Sequence, residues 1–189
     1  MKKMSCEVAV IGAGTAGLAA SGAAKRGGAD TLLIESGVPG TSCARIGCMP
    51  SKLLIAAAQL AHGCGNASVF GIQTAPMRVD GRAVMARVRT ERDRFVRGVL
   101  KAYEAIPQHQ RLVGHARFVD GNTLRVGEHT QIQAKAIVIA TGSRSDVPAM
   151  FEAVRDRVLT NENIFELTSL PSSTAGRGSI ARRCVAATV

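Results

Sequence analysis

The first hydrophobic rhythm in the chain is the run CEVAVI at residues 6–11, which passes straight into the glycines of GAGTAG. An apolar run of that length ending in glycine reads as a buried strand followed by a tight turn. TAGLAASGAAKRGG then carries helix-forming alanines, with Gly27 and Gly28 as a stop. DTLLIESG is a second apolar strand ending at Glu35, so residues 5–36 read as a βαβ unit. SKLLIAAAQLAH, residues 51–62, predicts a helix capped by Ser51 and ended by Gly63. Residues 66–77 are turn-like. From Gly81 to Tyr103 a long amphipathic helix is predicted, with Met85, Val88, Phe95, Val99 and Tyr103 along one face and Arg92 interrupting it.

The period then shortens. RLVGHARFV, TLRV and TQIQA read as short strands, with Asp120-Gly121-Asn122 as a hairpin turn. KAIVIATGS is a further apolar strand running into glycine. The pattern is therefore α/β: a parallel sheet with helices, plus a small antiparallel β-meander and a return strand.

The composition of these 189 residues, 46% apolar and 20% charged, is that of a globular protein with room for one sizeable core. No apolar run approaches the roughly 18–20 residues of a membrane span. MKKMSCEVAVIGAG superficially resembles a signal peptide, but Glu7 interrupts the short apolar stretch and no small-residue cleavage site closes it. The expectation is a cytoplasmic protein with no membrane partner. The net charge of +10 raises the question of nucleic acid. With no Trp and one Tyr there is no stacking platform, and the arginines of residues 78–97 are mixed with Asp80, Glu91 and Asp93, as on a solvated helix face. No nucleic-acid partner is expected.

Gly12, Gly14 and Gly17 form G-x-G-x-x-G between the first strand and the first helix. The first glycine permits the turn, the second lets backbone approach a pyrophosphate, and the third lets helix and strand pack closely. The helix N-terminus then faces phosphate with unpaired N–H groups. Glu35, at the end of the second strand, suits ribose hydroxyls. This context predicts dinucleotide binding without separating NAD from FAD.

Five cysteines argue for reduced thiols with one functional pair rather than a disulfide framework. Cys6, Cys64 and Cys184 read as small buried or incidental residues. Cys43 and Cys48, in GTSCARIGCMPSK, could bind a metal, sit inertly in a core, or pass electrons. A zinc site needs about four ligands, and no second pair stands at a recognisable spacing; no metal is expected. The redox reading fits the local chemistry: Cys48 lies where a helix begins, which favours thiolate, Pro50 suits the first turn, and Lys52 adds positive charge.

Together IGAGTAG, LLIES, GTSCARIGCMPSK and ATGS followed by Pro148 resemble the FAD- and pyridine-nucleotide-dependent disulfide oxidoreductases. The likeness runs from about residue 5 to 173 and is greatest to dihydrolipoamide dehydrogenase, with glutathione reductase and mercuric reductase as relatives. It implies a Rossmann-like FAD-binding domain over residues 1–150, with FAD bound tightly but non-covalently. Cofactor contacts are implied at Gly12, Ala13, Gly14, Ala16, Gly17, Glu35, Ser36, Ser42, Lys52, His115, Ala116, Ala140, Thr141, Gly142 and Ser143. Cys48 would be the thiol facing the flavin, Cys43 the outer thiol exchanging with a dithiol such as a lipoyl group, and Lys52 a catalytic neighbour. In the complete enzyme electrons would pass on to NAD as co-substrate, within a homodimer. One departure is Gly40-Thr41-Ser42-Cys43, where the common pattern is G-G-T-C.

The resemblance further implies that residues 151–173 lead towards an NAD-binding domain, and that this domain and the dimer interface are missing from a truncated chain. Residues 174–189 read as an atypical basic tail from a shifted reading frame or an odd terminus. Activity of the chain alone is then in question, and a non-catalytic FAD-binding remnant or a glutathione- or mercuric-reductase-like protein are the alternatives.

Overall fold

The computed structural model describes residues 1–174, which fall into two compact units. The first joins Met1–Cys43 to Val96–Arg144; the second joins Ala44–Phe95 to the chain from Ser145. In chain order the elements are β1 (Lys2–Ile11), α1 (Thr15–Arg26), β2 (Thr31–Glu35), α2 (Ser42–Arg45), α3 (Cys48–Gly65), α4 (Gly81–Glu104), β3 (Arg111–Val113), β4 (Ala116–Phe118), β5 (Thr123–Val126) and β6 (Thr130–Ile139). Short 3-10 turns occupy Ala67–Phe70, Gln108–Gln110, Ala149–Arg157 and Ile164–Glu166. The tail from residue 175, with Cys184, lies outside the described residues. Among those described, no helix is long and apolar enough to cross a membrane.

The first unit is built on a six-stranded sheet of order β3-β2-β1-β6-β5-β4. β1, β2, β3 and β6 are mutually parallel, while β4, β5 and β6 form the antiparallel meander. Thr31 to Ile34 in β2 are all buried, as expected for a strand inside a parallel sheet covered on both faces. TQIQA and KAIVI are not two strands: they form the single strand β6, paired along its length with β1. RLVGHARFV, by contrast, divides. Its first part, β3, is one end of the strand order, and its second part, β4, is the other.

That division dictates the shape of the sheet. Gly114 and His115 alone connect β3 to β4, so the link spans at most about 11 Å. Six strands laid flat would put those edges about 24 Å apart. The sheet must therefore curl back on itself. The bend lies at Glu7 and Lys135, where side-chain alternation slips by one residue in both β1 and β6. Met4 and Cys6 share a core with Ala9 and Ile11, and Ile132 and Ala134 share it with Ile137. At this point the Glu7 and Val8 amides both donate to the Asp30 carbonyl at 3.0 Å, and Glu7 pairs with Lys135 at 2.9 Å. The concave side holds Cys6, Ala9, Leu32, Ile34, Leu124, Val126, Ile132 and Ala134. The opposite side packs Val10, Ala13, Leu33 and Tyr103 against Leu18 and Ala20 of α1.

The second unit has its own core of Leu54, Met85, Val88 and Phe165. Arg92, expected as an interruption of the apolar face, is buried with it and pairs with Asp93 at 2.9 Å and with Glu166. Arg89 donates to the Leu167 carbonyl. Phe95, assigned to the buried face by its spacing, is 39% exposed. α4 covers the predicted span and adds Glu104. α3 starts earlier than its apolar pattern suggests: its N-cap is Gly47, not Ser51, and it runs on to Gly65, past Gly63. Ser51 instead donates its amide to the Gly47 carbonyl at 3.2 Å, within the first turn.

Candidate functional site

The glycine loop sits at the carboxyl end of β1, between β2 on one side and β6 on the other. This is where strand order reverses, the position at which open α/β sheets form ligand crevices. Each glycine has a separate physical reason. Gly12 has φ +105, and a Cβ there would lie 2.2 Å from the Ala140 carbonyl oxygen. A Cβ on Gly17 would lie 1.7 Å from the Gly12 carbonyl oxygen, so α1 reaches β1 only without a side chain. Gly14, the N-cap of α1, has nothing within 4 Å of the same position. The outer two glycines are closed by protein backbone, and the middle one faces open space. The first turn of α1 contains no acidic residue of its own to offset the positive end of the helix.

Three backbone bonds fix this loop. Gly12 donates to the Ile34 carbonyl at 2.7 Å, Ala140 to the Ile11 carbonyl at 2.8 Å, and Gly40 to the Ala13 carbonyl at 3.0 Å. The Glu35 carboxylate adds two more, accepting the Ala13 amide at 2.6 Å and the Gly37 amide at 2.8 Å. Two of its roughly four lone-pair positions are then engaged, leaving acceptor capacity for hydroxyl donors. Sequence reasoning singled out Glu35 for a ligand but missed its grip on the loop. It also missed Gly37 and took Gly40 only as the start of the cysteine motif, although two glycines within five residues of the strand end, in ESGVPG, were the available signal.

Other predicted positions gather at the same edge of the first unit. Ala140 is half-buried, and Thr141, Gly142 and Ser143 are exposed, with Gly142 at φ +72. Ala16 and Ser36 are exposed. His115 is exposed; its carbonyl accepts the Gly127 amide at 3.1 Å, while Ala116 begins β4 and packs on the concave core. Val38, Val113 and Ile139 follow or end parallel strands and are 64%, 82% and 65% exposed. Apolar side chains left in solvent at the carboxyl ends of strands suit a flat, largely apolar ligand.

The cysteine segment follows. Gly40, at φ +112, precedes Thr41 and the short helix α2, in which Ser42 is exposed and Cys43 half-buried. Cys43 closes a stretch of the first unit. In the second unit, Cys48 is the first residue of α3, exposed and a free thiol. Pro50 is buried in the first turn, and Lys52, one turn beyond Cys48, is exposed. Cys6 differs from both. Burial pushes its thiol up to about 11, the Asp30 charge adds to the rise, and it is inert at neutral pH. Among the described residues no group of His, Cys, Asp and Glu could hold a metal ion.

A parallel sheet with a glycine turn after its first strand, a helix on that turn, and a meander before the return strand define a Rossmann-like α/β domain. The chain belongs to the pyridine nucleotide-disulphide oxidoreductase family, whose model matches residues 6–185. A mercuric reductase of Lysinibacillus sphaericus is 30% identical over 177 residues, covering 92% of this chain and 32% of that protein. A dihydrolipoyl dehydrogenase of Haloferax volcanii is 36% identical over 176 residues, covering 87% of this chain and 36% of that protein. The chain thus spans about a third of the length of these relatives. A HOCl-induced flavoprotein disulfide reductase of Escherichia coli, solved as a Cu(II) complex of a cysteine-to-serine mutant, shares the fold with a TM-score of 0.69. It is 23% identical, and the match covers 92% of this chain and 36% of that one.

Proposed function

We propose that this chain is the FAD-binding and dithiol-handling part of a flavin-dependent dithiol–disulfide oxidoreductase of the dihydrolipoyl dehydrogenase kind. The observation that carries the reading is the contrast within the glycine loop: Gly12 and Gly17 are filled by backbone, while Gly14 looks into open space at the start of α1. That is the cradle a pyrophosphate needs. Gly12, Ala13, Gly14, Ala16 and Gly17 would hold the phosphates, and Glu35 with Ser36 the adenosine ribose. His115 and Ala116 would pass the adenine, and Ala140 to Ser143 with Ser42 and Lys52 would line the remainder.

Bound FAD would supply a two-electron acceptor. The residues of this chain would do the sulfur chemistry. A dithiol, of which a lipoyl group is the proposed example, would attack the Cys43 sulfur of a Cys43–Cys48 disulfide. One S–S bond breaks as a mixed disulfide forms, and the second substrate sulfur then closes on the first. The substrate leaves oxidised, both cysteines are reduced, and two protons are released or held by nearby groups. Cys48, the first residue of α3 with Lys52 one turn away, would be the sulfur that faces the flavin. NAD is the proposed final acceptor and a homodimer the proposed assembly of a whole enzyme, with the cytoplasm as its location.

The test is an absorbance spectrum of the purified chain after FAD addition and gel filtration, before and after a small excess of dithiol. Co-eluting flavin that responds to the dithiol with a new long-wavelength band supports the reading. Co-eluting flavin with no response leaves a binding remnant. Folded protein without flavin removes the proposal.

A further inference from the structure

One carboxylate ties together parts of the first unit that have separate roles in the proposed function. Glu35 Oε1 accepts the Gly37 amide and Oε2 the Ala13 amide, and the Ala13 carbonyl in turn accepts the Gly40 amide. Ala13 is fully buried, so both polar groups of its backbone depend on these partners. The loop from Glu35 to Gly40 is thereby held twice, directly at Gly37 and through Ala13 at Gly40. Gly40 stands at φ +112, a conformation few other residues adopt, and Pro39 before it has a fixed φ. Three residues further on is Cys43, half-buried in α2.

We infer that Glu35 is a positioning residue for the Cys43 thiol, acting through the Ala13 peptide and Gly40. This deepens the proposed function, since it rests on Cys43 being the outer redox thiol. The carboxylate at the dinucleotide loop then serves a second end: it sets how the cysteine segment leaves β2. Removing it leaves the Ala13 amide buried without its acceptor, loosens the Gly40 anchor, and lets Cys43 sample exposed positions.

The test is alkylation of each cysteine by iodoacetamide in flavin-free protein, followed peptide by peptide by mass spectrometry, for the native chain, Glu35→Ala and Glu35→Gln. Cys6, buried and pushed up to about 11, is an internal control for unfolding, and Cys64 a control in the second unit. The expected result is a Cys43 rate raised about tenfold in Glu35→Ala, the factor that ~1.5 kcal/mol, the lower end for a hydrogen bond to a charged acceptor, converts to. Glu35→Gln, which keeps one acceptor oxygen, falls between, and Cys6 and Cys64 do not change. An unchanged Cys43 rate, or one that rises together with Cys6, overturns the proposal. Should Glu35→Ala fail to fold, the same comparison in Glu35→Gln decides. Because no flavin is present, failure to bind FAD would remove the electron-transfer reading while leaving this result standing.

Discussion

The Glu35 carboxylate accepts the Ala13 amide over 2.6 Å, joining the end of one strand to the turn after its neighbour. A charged acceptor on a buried N–H is worth more than a neutral pair, about 1.5–3 kcal/mol. Its loss also removes the acceptor proposed for the ribose. Glu35→Ala is therefore expected to weaken FAD binding roughly 10- to 100-fold by the same scale. Flavin fluorescence titration of the native and variant chains checks this.

Gly14 and Gly17 separate binding from folding. In Gly17→Ala the new methyl would meet the Gly12 carbonyl oxygen at 1.7 Å, so α1 must be displaced from β1. The cost is expected at about 3 kcal/mol or more, at the upper end for overpacking. Gly14→Ala meets nothing within 4 Å and costs only a fraction of that, as an exchange at a helix N-cap. Its methyl nevertheless projects into the space proposed for phosphate. Urea midpoints should fall for Gly17→Ala and hardly move for Gly14→Ala, while FAD retention on gel filtration is lost in Gly14→Ala.

Arg92 anchors the turn at Ile164–Glu166 to α4. Its partners Asp93 and Glu166 are about half exposed, so its removal leaves no buried counter-charge behind. The loss in Arg92→Ala is then about 1–3 kcal/mol, below the range for an orphaned buried charge. Arg92→Met keeps the apolar stem and should recover part of that loss. Thermal unfolding of both variants gives the comparison.

The bend of the sheet should leave a trace in the acid limb of stability. The hydrogen bond from Lys135, with that from the Asp30 amide, holds the Glu7 carboxyl below its ordinary 4.5. A carboxyl depressed in the folded state contributes stability above its unfolded pKa, and that contribution is lost as pH falls through the folded value. Urea midpoints of the native chain should drop below pH 4.5 more steeply than those of Glu7→Gln, with the two curves parallel near neutrality. Parallel curves throughout would show that the pair contributes nothing to folding.

The sequence carried the local parts of this fold well. β1, α1 and β2 follow from an apolar run, a glycine turn and a second apolar run, because periodicity and turn chemistry are local properties. The curl was not legible. It depends on RLV and ARF lying at opposite ends of the strand order, and nothing within RLVGHARFV besides Gly114 announces a break. β6 looked like two strands because its alternation slips at Lys135, where a twist mimics a boundary. Ser51 looked like a helix cap because its residue type is right, yet the helix begins at Cys48, behind a glycine whose backbone ends the preceding turn. Of the candidate site, the glycine loop and Glu35 were readable from motif and position. The second grip of Glu35 was not, since a side chain's backbone partners depend on how the following loop folds back.

The pairing of β1 with β6 has a meaning for synthesis. Lys2 pairs with Thr130 and Ile11 with Ile139, a constant separation of 128 residues (130 minus 2). β1 leaves the ribosome 128 residues ahead of β6, and one flank of it has no strand beside it until β6 follows. At about 5–20 residues per second that wait is of order ten seconds. An apolar strand edge open for so long is a template for a wrong neighbour. The nascent chain therefore passes through a period in which a chaperone that shields β1 would matter more than one acting on the finished sheet.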